Sequence, residues 1–142
     1  MAQIVDIADA VVEELNGHEF SQEFTAVRLY VPRYKPQDIK DLTVTVVPGP
    51  HAIEGATRGS DQHEYTILVG VQMKLDSDDA ATLDPMVSLV EEVADFLGGR
   101  PLASVPLAVC SGVLNEEPLI PEHLDQLRIF TSFVSATYQM VR

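Results

Sequence analysis

Imidazole and carboxylate side chains, the usual protein ligands of divalent metal ions, are concentrated in one stretch of the sequence. The members of this group are His51, Glu54, Asp61, His63 and Glu64. None of these residues has the helical pair spacing or the cysteine partners that a zinc site requires. Because carboxylates and histidines in loops are usually solvated, we predict no metal site here.

The sequence also lacks the features typical of nucleophilic catalysis, which requires a serine or cysteine held against a base and an orienting group. Nothing around Ser60 or Ser111 indicates an activated hydroxyl. The single cysteine, Cys110, follows an apolar stretch, where a thiol is usually a small packed hydrophobe. Glu91 and Glu92 point to different sides of a helix and form no acid–base pair. We therefore predict no catalytic residues.

The charge of the chain further limits its ligands. Nine Lys and Arg against 22 Asp and Glu give a net charge of -13, which disfavours tight binding to the phosphates of nucleic acids. The glycine-rich segment around Arg58 lacks the lysine and the strand-to-helix context of a phosphate-binding loop. We predict no cofactor.

Length and composition predict a single domain over residues 1–142, since a hydrophobic fraction of 46% suffices for one core. No apolar run approaches the ~18 residues that cross a bilayer, and the N-terminus has no secretory signal pattern. We expect a cytosolic protein in the cell that produces it.

Two amphipathic helices are predicted from apolar residues at helical spacing. The first covers residues 4–15 and ends at Asn16-Gly17. The second begins at Asp84-Pro85 and ends at Gly98-Gly99. Alternatively, residues 77–83 add a helical turn, and Pro85 then kinks the helix instead of starting it.

Five strands are predicted from runs of β-forming residues and from the breaks between them. They cover residues 24–31, 42–47, 64–75, 107–114 and 126–141. The segment 32–40 is too rich in proline to continue the first strand, and Pro48-Gly49-Pro50 closes the second. In the last strand the alternation of apolar residues shifts by one position near Phe133. This shift indicates either a bulge or burial of both faces.

The third strand has its apolar residues at every second position and would extend for roughly 40 Å. Together with the second strand it predicts a long antiparallel hairpin, whose tip is an extended loop over residues 48–62. The predicted fold class is α+β, with an antiparallel sheet of about four to five strands and two helices packed on it.

The residues that carry a family likeness are spread along nearly the whole chain. They are the N-terminal helix, Val44-Thr45-Val46-Val47-Pro48, the loop through Arg58, residues 65–72, the helix 83–97, Pro121-Glu122-His123-Leu124 and Thr131-Ser132-Phe133. In these features the chain resembles the tail terminator proteins of long-tailed bacteriophages and the related tail-completion and neck proteins.

This resemblance implies a structural virion protein of the tail or neck that is made in the host cytoplasm. Its subunits would form a hexameric ring at the head-proximal end of the tail tube, end tube polymerisation and join the tail to the head connector. The implied partners are other copies of the chain, the major tail tube protein and a head-completion protein. DNA would pass through the ring without specific binding. The resemblance implies no catalytic residues.

Two surfaces are predicted to contact partners under this interpretation. The loop surface, which would contact the tail tube, comprises Gly49, His51, Glu54, Arg58 and Ser60. The polar face of the third strand, which would lie between subunits, comprises Glu64, Thr66, Gln72 and Lys74.

The sequence is also compatible with two other hypotheses. The chain could be another neck, head-completion or minor tail component. It could instead be a small acidic binding module or an enzyme with dispersed catalytic residues, and an enzyme would have a concave pocket with convergent groups of shifted pKa.

Overall fold

The computed structural model describes residues 2–30, 42–75, 80–115, 119–122, 124 and 128–142. Within these residues the chain forms two long helices and a five-stranded sheet, so the predicted α+β class is confirmed. The elements are α1 (Gln3–Asn16), β1 (Ala26–Arg28), β2 (Thr43–Thr57), β3 (Ser60–Lys74), α2 (Ala80–Leu97), β4 (Val109–Leu114) and β5 (Ile129–Val141).

The strand order in the sheet is β1-β2-β3-β5-β4. Three of the strand pairs are antiparallel, as predicted, but β1 runs parallel to β2 with Ala26 opposite Val44. A parallel neighbour requires a long connection, and positions 29–42 between the two strands provide it. The predicted first strand is shortened to Ala26–Arg28, and the proline-rich segment 32–40 lies outside the described residues.

The second strand does not end at Pro48, and the predicted loop over residues 48–62 is wrong. β2 continues to Thr57 with a bulge between Pro48 and His51, and the turn of the hairpin is only Arg58-Gly59. Gly59 has a φ of 98°, a conformation that favours glycine. The hairpin itself is confirmed.

Pro48 is compatible with β2 because of the direction in which its backbone points. The amide of Leu29 donates to the carbonyl oxygen of Val46 at 2.9 Å, so Val46 directs its polar groups towards β1. Backbone directions repeat every two residues, so Pro48 also faces that edge, and β1 pairs with β2 only as far as Val46. The missing N–H of the proline therefore removes no bond to β3.

The two faces of the sheet differ. One face, which we call the helix side, bears the buried side chains that pack with both helices, and from β3 these are Tyr65, Ile67, Val69 and Val71. These are the alternating positions predicted from the sequence. The opposite face is called the outer face. β5 pairs with β3 from Ile129 to Val141, so the hairpin is part of the sheet over most of its length and is not a free projection.

The second helix begins at Ala80, so a start at Asp84-Pro85 is wrong and the upstream alternative applies as far as the described residues extend. Pro85 lies inside the helix, where it removes one backbone hydrogen bond. The helix is held by an apolar face that is buried in the core. The buried residues of this face are Met86, Leu89, Val90, Val93 and Leu97.

The shifted alternation of apolar residues that the sequence shows near Phe133 is explained by the burial of β5. The first four residues of β5 are all buried, and strict alternation begins only after them, so both faces of the strand are covered at its start. The bulge lies instead in the neighbouring strand β4, between Cys110 and Gly112. Residues 126 and 127 of the predicted strand lie outside the described residues.

Candidate partner-binding surface of the hairpin

The residues predicted for a contact loop lie instead on the two arms of the hairpin and on its turn. His51, Glu54 and Arg58 are exposed, whereas Gly49 and Ser60 are half-buried. His51 pairs with Tyr65 and therefore lies on the helix side, whereas Glu54 pairs with Gln62 and lies on the outer face. The structure thus distributes these five residues along the hairpin and over two faces.

The polar face predicted for β3 is the outer face of the sheet. Glu64 and Thr66 are half-buried there and Lys74 is exposed. Gln72 is only 1% exposed, and its side-chain amide has no hydrogen-bond partner among the described residues. Its assignment to a surface between subunits does not fit this burial, because alternation determines the face of a side chain but not how deeply the face is covered.

A cluster of polar rings lies at the distal end of the helix side. The Nε2 atom of His51 is 2.9 Å from Nδ1 of His63, and both rings stack on Tyr65. The guanidinium of Arg142 donates to the Tyr65 hydroxyl at 2.9 Å. Burial, assisted by Arg142 and His51, lowers the pKa of His63, which favours a neutral ring in this cluster.

Of the potential metal ligands between positions 51 and 64, only the two histidines are brought together. Glu54 and Glu64 lie on the outer face, and the backbone of Asp61 pairs with Arg142. Within the described part of the chain, no three His, Cys, Asp or Glu side chains are gathered so that they could hold a metal ion. The side chains of the cluster link β2, β3 and the residue that follows β5.

The residues considered for catalysis have structural contacts. The hydroxyl of Ser111 donates to the backbone carbonyl of Thr137 at 3.3 Å, and the Cys110 thiol is half-buried against the core. Glu92 accepts a hydrogen bond from the amide of Ser21. Of the two histidines outside positions 51–64, His18 stacks on Phe96 and His123 lies outside the described residues.

Charge is distributed unequally over the molecule. Each helix carries four acidic residues and no Lys or Arg. Two acids of α1 are paired, Asp9 with Arg28 at 2.6 Å and Glu14 with Arg100 at 3.0 Å. The amide of Ala103 and then Arg100 lower the pKa of Glu14. In contrast, β4 and β5 contain no charged residue.

A set of exposed apolar side chains at the two edges of the sheet was not predicted from the sequence. Ile53 on β2 is 57% exposed. At the opposite edge Leu107, Val109 and Val141 are 74%, 62% and 57% exposed. Alternation of apolar residues could not identify them, since exposure here depends on where the neighbouring strands end.

Two tyrosines that face each other across β3 and β5 provide a test of the polar cluster. Tyr65 and Tyr138 are both buried, but only the Tyr65 hydroxyl is bonded, whereas that of Tyr138 has no partner in the described part of the chain. We expect Tyr65→Phe to lower the free energy of unfolding by about 1 kcal/mol, because it leaves Arg142 and His63 without this partner. Tyr138→Phe should leave it unchanged or raise it by up to about 1 kcal/mol, since it removes an unsatisfied hydroxyl.

Urea denaturation of both variants at one pH measures the two effects. The substitutions remove the same atom from equivalent buried positions, so each serves as the control for the other. Equal losses in both variants would contradict the assignment of the hydrogen bonds.

Comparison with solved structures identifies a related fold. The chain is similar to a cryo-EM structure of an extracellular contractile injection system, the PVC sheath/tube terminator in its extended state, with a TM-score of 0.54 and 13% sequence identity. The two share a fold. The match covers 100% of this chain and 57% of the other, so this chain spans little more than half the length of that protein.

The other comparisons add no family. No protein-family model matches the chain, and no curated protein matches it. Among the described residues no helix is long and apolar enough to span a membrane.

Proposed function

We propose that this chain is a tube terminator of a bacteriophage tail. Its copies form a ring, hexameric in the simplest case, at the head-proximal end of the tail tube, where the ring ends tube polymerisation and provides the surface that joins the head connector. The observation that carries this proposal is the fold, which is similar over the whole chain to that of a sheath/tube terminator.

The hairpin supports the proposal because residues 48–55 of β2 extend beyond the core and contain no buried side chain. β2 contributes buried side chains from Val44 to Val47, whereas His51 and Glu54 further along it and Arg58 at the turn are exposed. We assign the distal hairpin, with Gly49 and Ser60 as backbone positions within it, to contact with the tube. Glu64, Thr66 and Lys74 on the outer face are assigned to contacts between subunits.

The charge distribution agrees with a ring that DNA crosses without binding. Acidic helices without Lys or Arg repel the phosphate backbone, so a lumen lined by them would let DNA slide. The proposed role is structural, non-enzymatic and located in the tail or neck of the virion. Its other partners are the major tail tube protein and a head-completion protein.

Shortening the hairpin tests this function. Removal of residues 54–57 and 60–62 keeps the Arg58-Gly59 turn and places it between Ile53 and His63, which already face each other. We expect wild-type protein to shorten tubes of the cognate tail tube protein and to label one end of each tube in electron micrographs. The shortened variant should fold but leave tube length as in the absence of terminator.

Arg58→Ala is the variant matched to the shortened hairpin. It removes only the exposed side chain at the turn and so separates the effect of this side chain from that of hairpin length. Circular dichroism and thermal melting verify that both variants are folded. Normal termination by the folded short-hairpin variant would remove the hairpin from the mechanism. Binding of the wild-type protein to the head connector, with no effect on tubes, would reject termination in favour of a neck protein.

A further inference from the structure

The exposed apolar residues at the two edges of the sheet form a complementary pair of features. On β2, Ile53 projects as a single apolar side chain, which we call the knob. At the other edge an apolar groove, which we call the notch, is bordered by Leu107, Val109 and Val141. The remaining described residues that line the notch are Gln62, Gln139 and Met140.

The strand register places the knob and the notch at the same level of the sheet. Ile53 is opposite His63, and His63 is in turn opposite Met140 on β5. On one side of the pair of His63 with Met140, Gln62 is opposite Val141. On the other side, Gln139 of β5 is opposite Val109 of β4. The two features therefore lie on nearly one line across the strands, at opposite edges.

Both edges are open at this level. Among the described residues, β1 pairs with β2 only between Val44 and Val46, so the part of β2 that contains Ile53 has no neighbour on that side. At the other edge, β4 reaches no further than the pair of Val109 with Gln139, so it does not cover the end of β5. A neighbouring molecule can reach each feature without displacing a strand.

The knob and most of the notch lie on different faces of the sheet, while Met140 of the notch shares the helix side with Ile53. Ile53 lies on the helix side, whereas Val109, Val141 and Gln62 lie on the outer face. A knob therefore cannot enter the notch of its own chain, and two knobs offer each other no groove. The two features meet when the sheets of neighbouring copies overlap at their edges.

We propose that Ile53 of one copy inserts into the notch of the next copy, so that the subunits associate head to tail. Such a heterologous contact repeats around an axis, and it closes into a ring when successive copies do not advance along that axis. Because Ile53 and the notch lie at the same level along the strands, successive copies need not advance along the axis, and this favours a closed ring. This inference rests on the proposed function, for which it supplies the contact between subunits.

The distribution of charge favours these edges as the place where two copies meet. A net charge of -13 makes copies repel one another, and the helices hold eight acidic residues without a basic one. None of the described residues that line the notch is charged. Contact through these edges brings two copies together at side chains that carry no charge.

Two single substitutions test the contact, Ile53→Asp in the knob and Val109→Asp in the notch. We expect wild-type protein to form oligomers at high concentration, measured by size-exclusion chromatography with light scattering. Each substitution should weaken association by at least about 10-fold, because it places a charge in the apolar contact. Val87→Asp is the matched control, since Val87 is an exposed apolar residue on α2, and it should associate like the wild type.

Mixing the two variants distinguishes a head-to-tail contact from a symmetric one. Each variant retains one intact surface, so an equimolar mixture should form dimers but no larger species. A mixture that stays monomeric while the wild type oligomerises would overturn the proposal. Oligomers that persist in both variants would also overturn it, although a ring built through another surface would remain compatible with tube termination.

Cysteine crosslinking extends the test to weak association. In a Cys110→Ser background, Ile53→Cys combined with Val109→Cys should give disulfide-linked ladders under oxidation, whereas either cysteine alone should give at most dimers. Wild-type protein that remains monomeric, together with a double-cysteine variant that does not crosslink, would overturn this contact. The tube-length assay with wild-type protein is independent of this outcome and decides the proposed function separately.

Discussion

Phe130→Ala is expected to lower the free energy of unfolding by about 3–5 kcal/mol, which is the largest effect of any single change considered for this chain. Phe130 is completely buried in the core at the start of β5, beside Met73 of β3. Removal of its ring forfeits the burial of a large apolar surface and leaves a cavity that the surrounding sheet and helices fill only partly. Equilibrium unfolding in urea, followed by circular dichroism, measures this loss.

Phe133→Ala is the matched control, because Phe133 lies three residues further along the same strand on the outer face and is half-buried. Its loss should be less than half of that caused by Phe130→Ala, since its ring is already partly in contact with water. If the two variants were equally destabilised, the outer face would be part of a core as extensive as that of the helix side, contrary to the burial of β5.

Gly49→Ala is expected to lower the free energy of unfolding by about 1–3 kcal/mol, a large effect for the addition of one methyl group. A Cβ atom at Gly49 would lie 2.8 Å from the carbonyl oxygen of Thr66, which belongs to the backbone of β3. That oxygen cannot move away alone, because β3 is paired on both sides. The bulge in β2 therefore requires a residue without a side chain at this position.

Gly55→Ala in the same strand is the control, since a Cβ there would meet nothing within 4 Å in the described part of the chain. We expect its free energy of unfolding to stay within about 0.5 kcal/mol of the wild type. Thermal melting of the two variants side by side checks the difference. Equal stability of both would show that the bulge relaxes to accept a side chain, and that Gly49 is free to serve a partner.

The elements with strong periodicity were predictable from the sequence. Alternation from Tyr65 to Val71 identified the buried face of β3, and helical spacing identified α1 with its end at Asn16. These patterns suffice because burial of one face imposes a period of 2 on a strand and of 3.6 on a helix. The α+β class follows from the order of these elements.

The boundaries at proline were not predictable from local signals. Pro48 was expected to end a strand and Pro85 to begin a helix, yet both lie inside their elements. The effect of a proline in a strand depends on whether its missing N–H faces a neighbouring strand, and strand order determines that. In α2, burial of residues from Met86 onwards compensates for the hydrogen bond that Pro85 removes.

For the candidate partner-binding surface, too, some features followed from the sequence and others only from the tertiary structure. The sequence by itself determined the residue types of the hairpin, the acidic helices, the face of β3 on which each side chain lies and the α+β class. Only the tertiary structure decided that Gln72 is buried and that Ile53 and the notch are exposed at one level of the sheet. The physical reason is that exposure depends on which strands are neighbours and where they end, and these are contacts between residues far apart in the sequence.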